Sequence, residues 1–362
     1  MPLLSATECV TPAFRHMVGQ MFQSFRLAFW LRMALLGLVT GEFAGEGFRG
    51  NVPTSFPSKP GTLGGSHGGH VPFPWHTDWF TPTHVVHLAI GVAIFFCILT
   101  LLVIYINSTL RFVLFDAVLH GDPRILAGWR KWRAQGRKFF VWQVFLVLVG
   151  WGLLMLCLVV PLLTLYSNHH IGFWYIDLTA VTVLMLGGLA LMVLGIAISI
   201  AAILTKDFVV PMMALEGIGW QEGWQRLFVI ARGHVSEYVI YFLMKIVLRI
   251  LASLAHAIVM FLIVLLLAVP GAIAVIAGVA IGTGAAMAVK AFLITVGIVL
   301  GLMFLAVLIA LSALVGAPVA FFFPAYAIYF FAGRYEPLGR IVFSGPPQPP
   351  PAFTPAAPLV PA

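Results

Sequence analysis

The feature that most limits what this chain can become is its set of long, uninterrupted apolar blocks. Five of them, at 84–107, 139–166, 180–205, 236–269 and 286–315, each supply the roughly 20 apolar residues needed to cross about 30 Å of hydrocarbon. Charged residues make up only 9% of the 362 positions, far below the roughly one quarter typical of a soluble domain, so the blocks need lipid on the outside. A sixth block, 26–41, is shorter and contains Arg32; it reads as a tilted span, with an interfacial helix as the alternative. The expectation is an all-α, polytopic transmembrane helical bundle of about six spans. A single membrane domain over 1–340 precedes a Pro-rich disordered tail at 341–362.

The net charge of +8 does not point to nucleic acid, because the basic residues flank apolar blocks and no basic-aromatic reading motif is present. Their distribution is instead a topological signal. Arg111, Arg124, Arg130, Lys131, Arg133, Arg137 and Lys138 crowd one connection, and Lys206, Arg226 and Arg232 another; alternate connections carry Arg49 and Lys59, or no basic residue at all. The positive-inside rule makes the crowded connections cytoplasmic. Six spans then place both termini there, with 42–83 as an outer loop rich in Gly, Pro and His. The N-terminal stretch MPLLSATECVTPAFRH lacks the layout of a cleavable signal, so the spans are expected to direct insertion. Two short apolar segments, 270–284 and 316–333, are broken by Pro or Gly and read as re-entrant, interfacial or tightly packed pieces.

The two basic connections are alike. RFVLFDAVLHGDPRILAGWRKW from Arg111 and DFVVPMMALEGIGWQEGWQRL from Asp207 align with Phe112-Val113 on Phe208-Val209, Gly121 on Gly217 and Gly128-Trp129 on Gly223-Trp224. A fainter third copy begins near Phe322-Phe323-Pro324. The unit is a helical hairpin followed by an elbow, three times over. In the elbows, Trp129, Arg130, Lys131, Trp132 and Arg133, and then Trp220, Trp224 and Arg226, are expected to form interfacial helices whose cations meet anionic lipid headgroups.

The segments DFVVPMMALEGIGWQEGW, FVLFDAVLHG and FQSFRLAFWLRMALLG resemble uncharacterised prokaryotic multi-pass membrane proteins related to the membrane domain attached to some glycerophosphodiester phosphodiesterases. The resemblance runs to about Glu336 and implies a prokaryotic cytoplasmic (inner) membrane. It carries no catalytic activity, because the phosphodiesterase barrel with its acidic and His motifs is absent.

Lys245 and Arg249 stand one helical turn apart in an apolar block. Ionisable groups inside a span line a cavity or pair with a carboxylate, and Asp207, Glu216 and Glu237 are the candidate partners for a lipid or anion site. The alternative is that both cations reach the interface, since residues 250–269 suffice to cross. His67, His70, His76, His84 and His87 fall on the outer side with donor types that suit zinc, nickel or copper, but without a compact ligand signature they read first as a polar loop. His256 stands alone among apolar residues, Gly278-x-x-x-Gly282 and Gly297-x-x-x-Gly301 permit close helix approach within the monomer or in a homodimer, and Cys9, Cys97 and Cys157 form no metal or disulfide pattern. Phosphate-loop, nucleophile-elbow and dinucleotide motifs are missing. The expected protein has no cofactor and no catalytic residues: a membrane organiser binding lipids or partner proteins. A transporter using Lys245 and Arg249 is the alternative, and a lipid-acting enzyme the third reading.

Overall fold

A computed structural model describes residues 4–23, 26–42, 82–167, 178–283 and 286–343. All regular structure among them is helical: α1 (Val10–Val18), α2 (Leu27–Thr40), α3 (Pro82–His120), α4 (Ile125–Ser167), α5 (Leu178–Leu204), α6 (Val210–Glu216), α7 (Trp220–Arg232), α8 (Val235–Thr283), α9 (Met287–Ala332) and α10 (Glu336–Val342), with π turns at Gly19–Gln23 and Thr205–Val209. Five helices, α3, α4, α5, α8 and α9, are long and apolar enough to cross a membrane. They contain the five long apolar blocks. The sixth block forms α2, whose 14 residues extend about 21 Å at 1.5 Å per residue, short of a full crossing.

Each long helix has two parts with different surroundings. Towards one end the side chains are apolar and exposed, as with Phe95 and Phe96 on α3, Leu186 on α5, Phe261 on α8 and Leu302 on α9. That surface has no water-compatible partner, and hydrocarbon is the solvent that suits it. Towards the other end the same helices converge with α1, α2, α6, α7 and α10 into a core dense in aromatic residues. Tyr241 stacks on Tyr326 with ring centroids 5.1 Å apart, and Phe208 meets Tyr238, Tyr241, Phe330 and Phe331 at 5.2–5.9 Å. Because Arg111, Lys206 and Lys138 lie at this end, it is called the basic end here.

Both extremities of the described chain reach it: Tyr326 Oη donates to Ala6 O at 3.0 Å, and Leu338 of α10 is fully buried. The interrupted segments 270–284 and 316–333 do not form separate elements. Within the described residues they continue α8 through Pro270 and α9 through Pro318 and Pro324; packing of the second against the core keeps it helical despite the missing amide donors. The small-residue motifs do little inside the monomer, since a side chain at Gly278, Gly297 or Gly301 would meet nothing within 4 Å, and at Gly282 only Leu293 at 3.7 Å.

The elbows differ from the interfacial helices expected. Residues 125–138 are the first turns of α4 itself, whereas α7 is a separate helix. Arg130, Lys131 and Arg133 are exposed, but the tryptophans turn inward: Trp132 stacks on Phe112, Trp129 meets Tyr105 edge-on, and Trp220 lies 4.7 Å from Trp142. Aromatic packing at the core outweighs the preference of these rings for headgroups. Gly121 and Gly217 both take positive φ, 71° and 73°. A Cβ on Gly128 would fall 2.9 Å from Val113, and one on Gly223 2.7 Å from Val209.

At Gly136 α4 lies close against the α3 backbone, and a Cβ there would lie 2.9 Å from the Thr109 Cα. Backbone cannot give way as a side chain does. Gly136→Ala is therefore expected to destabilise by about 1–3 kcal/mol from overpacking, despite a helix-propensity gain of up to about 1 kcal/mol. A thermal unfolding midpoint in detergent equal to or above that of the parent would contradict this.

Candidate functional site

The basic end contains a network of buried charges that four separate parts of the chain build. α2 closes in a left-handed Gly41 (φ 73°), and the Glu42 amide donates back to Gly37 O at 2.9 Å. This is the hydrogen-bonded helix stop for which glycine is favoured, and it turns Glu42 into the interior. There the Glu42 carboxylate meets Arg111 Nη1 of α3 at 2.9 Å, Lys206 Nζ at 2.6 Å and Arg249 Nη2 of α8 at 3.7 Å. Arg111 also donates to Thr40 O at 2.7 Å. Burial by itself pushes the Glu42 pKa up; Lys206, Arg111 and Lys245 outweigh it and hold the carboxyl below its ordinary range.

The π turn at Thr205–Val209, a backbone form common at functional sites, brings two consecutive charged residues inside. Lys206 faces Glu42, and Asp207 pairs with Lys245 while accepting from Tyr241 Oη at 3.0 Å. Four cations thus meet two carboxylates, leaving two positive charges in excess. Two cavities flank Glu42. One of about 30 Å³ adjoins Arg111 and Lys206, large enough for a water molecule; the other, about 80 Å³, runs between α8 and α9 past Arg249 and Ser253 to His256. His256 Nε2 lies 3.2 Å from Ser312 Oγ. Glu42 Oε2 is buried without a hydrogen bond.

Of the residues singled out from sequence, Lys245 and Asp207 are brought together, and Arg249 joins the same network through Glu42. Glu216 and Glu237 are not part of it. Glu216 takes Arg226 and the Tyr335 hydroxyl, and Glu237 lies 3.5 Å from Arg334. Lys245 is buried within the protein, being 5% exposed, whereas the Arg249 side chain is 22% exposed and packs over the Phe323 ring at 4.7 Å. Helix α8 runs about 50 Å beyond Arg249 at 1.5 Å per residue, more than the roughly 30 Å of hydrocarbon. The network therefore fits the membrane boundary better than its middle.

Glu42, Arg111 and Lys206 were missed as members. Glu42 read as the first residue of an outer loop, yet it lies at the basic end, opposite Pro82 at the start of α3. The alignment of the two connections held one clue, because it sets Arg111 against Asp207 at the head of each copy. His67, His70 and His76 lie outside the described residues; His84 belongs to α3, and His87 is exposed on it. Among the described residues no group of three or more His, Cys, Asp or Glu side chains is placed to hold a metal ion.

No curated protein and no solved structure matches the chain. The family match gives no link to a glycerophosphodiester phosphodiesterase membrane domain. The chain belongs to the family of unknown function DUF7544, whose model matches residues 4–341.

Proposed function

We propose that this is a non-enzymatic protein of a prokaryotic cytoplasmic membrane that binds anionic lipid headgroups at the basic end of its bundle. The observation that carries the reading is Arg249. It is the loosest member of a network with excess positive charge, 3.7 Å from its nearest carboxylate and bordering an 80 Å³ cavity one helical turn past the buried Lys245. A phosphate or carboxylate there gains charge-assisted hydrogen bonds and neutralises part of the excess. The exposed Arg130, Lys131, Arg133, Arg137 and Lys138 favour the same leaflet, and the positive-inside rule makes it the cytoplasmic one. Both extremities of the described chain pack at that end. The matching glycine geometry of the two elbows supports an internal repeat of hairpin and elbow.

A lipid-translocating transporter is the second reading, and the reach of the cavity to His256 favours it. Against it, 80 Å³ is well below the roughly 300–1,000 Å³ of small-molecule sites and suits a phosphate-sized group more than a passing lipid. Native mass spectrometry of protein released from bilayers of mixed phosphatidylglycerol and phosphatidylcholine tests the proposal. Arg249→Leu removes an interaction worth about 1.5–3 kcal/mol, so retained phosphatidylglycerol is expected to fall about ten-fold or more while the unfolding midpoint barely moves. Equal retention by parent and variant would overturn the reading.

A further inference from the structure

Helix α8 has more exposed apolar length than a bilayer can cover. From Arg249 to Thr283 it rises about 50 Å at 1.5 Å per residue, which already exceeds the roughly 40–45 Å of a bilayer with its headgroups. The turns from Val235 to Lys245 are left without hydrocarbon. Helix α4 marks the boundary independently. Its exposed side chains are charged at Arg130, Lys131, Arg133, Arg137 and Lys138, and apolar at Val141, Phe145 and Leu148. Trp142, at that change, donates to Thr205 Oγ1 at 3.1 Å, and further towards the basic end Asp207 pairs with Lys245. Lys245 and the turns before it thus stand level with the charged part of α4.

The outer face of α8 at this level is nonetheless apolar. Val239, Ile240, Leu243, Ile246, Val247 and Ile250 are 44–61% exposed and lie on the side of the helix turned away from the buried Lys245. Val239, Leu243, Ile246 and Ile250 follow the alternating four- and three-residue spacing of a helix–helix seam. No charged side chain interrupts it. The six side chains expose on the order of 600 Å², most of the roughly 800 Å² that each partner gives to a standard interface. With its other side α8 packs on α9 and α7, so among the described residues nothing covers this stripe.

A contiguous apolar patch of that size on the water side of a membrane protein calls for a protein partner, and the bilayer itself selects which one. It holds every copy of the chain at one height and in one orientation, so a second copy brings the same stripe to the same level, related by a twofold axis along the membrane normal. An uncharged seam suits such self-pairing, because no like charges are brought together across the axis. We propose that two copies of the chain pair through α8 beside the ion network, with Leu243 and Ile246 of each copy facing their own counterparts. Arg249 and Lys245 remain on the inner side of the helix, and the pairing does not depend on a lipid at Arg249.

The test uses the full-length chain in its native membrane, with Cys97 and Cys157 replaced by Ala and Cys9 left fully buried in the core. Oxidative cross-linking of Leu243→Cys or Ile246→Cys is expected to give covalent dimers at least ten-fold faster than Leu186→Cys, which puts a thiol on the exposed apolar part of α5. In nanodiscs, mass photometry should read two copies for the parent and one for Leu243→Lys combined with Ile246→Lys. The unfolding midpoint of that variant should barely move, because in the separated copy both ammonium groups meet water. Cross-linking no faster than at Leu186→Cys would mean chance collision, and adducts with a different protein would give the stripe another partner. A parent that stays single while the Lys variant loses its fold would place the stripe in hydrocarbon. Each of these results overturns the pairing.

Discussion

Glu42→Gln is expected to lower stability by about 3–5 kcal/mol, the cost of leaving buried charge without its counter-ion. The substitution keeps the side chain's size and removes only its charge. Arg111 and Lys206, within 2.9 Å and 2.6 Å of that carboxylate, and the more distant Arg249 are then left beside a neutral amide. Because Glu42 follows directly on α2, the damage should include release of the N-terminal segment, seen as faster proteolysis ahead of Gly41. Titration gives the same result a second signature. With a folded pKa held below the ordinary 4.5, the carboxylate's contribution is complete above about pH 4.5 and is lost as pH falls below it, towards the depressed folded value. The Gln variant should lack that component of acid sensitivity. Pairing Glu42→Gln with Lys206→Met should recover part of the loss, since the two residues share one interaction. A loss under about 1 kcal/mol, measured by reversible unfolding in mixed micelles, would mean that water already screens these cations.

Lys245→Leu is expected to cost about as much, some 3–5 kcal/mol, for the complementary reason. It leaves Asp207, whose side chain is 4% exposed, with the Tyr241 hydroxyl as its hydrogen-bond donor in place of an ammonium. Replacing both members, Lys245→Leu with Asp207→Leu, should restore most of the stability, because a buried ion pair exchanged whole for apolar side chains is often near neutral. The coupling energy from the double-mutant cycle is the decisive quantity. Coupling near zero would show that the two groups do not share an interaction. The contrast with Arg249 is the useful outcome: Lys245 and Arg249, one turn apart on α8 and equivalent in the sequence, are expected to separate into a structural cation and a lipid-facing one.

That separation shows where sequence reading stops. The five long apolar blocks were legible because hydrocarbon imposes length and composition directly, and they recur as α3, α4, α5, α8 and α9. The pairing of Lys245 with Asp207 was legible only in part: an ionisable residue in an apolar helix calls for a counter-charge, and Asp207 was one of three candidates beside Glu216 and Glu237. Glu42 was not, because its place depends on how far α2 extends: as a full span α2 would have carried it to the opposite face, whereas its 14 residues leave it among the basic residues. The inward tryptophans escaped for a similar reason. Trp132 and Trp220 have the flanks of interfacial anchors, and only the neighbouring Phe112 and Trp142 show that core packing claims them. The broken apolar segments left several readings open because Pro270 and Pro324 end helices in isolation; packing against the core carries α9 past Pro324, whereas α8 continues past Pro270 with its side chains largely exposed.

A high-resolution map of the full-length protein in nanodiscs made from native membrane would test the central claim most directly. The account predicts density for an anionic group within hydrogen-bonding distance of the Arg249 guanidinium, at the mouth of the cavity between α8 and α9, with Glu42 still bound by Arg111 and Lys206. A dry cavity with Arg249 closed onto Glu42 and lipid headgroups lying elsewhere would contradict it.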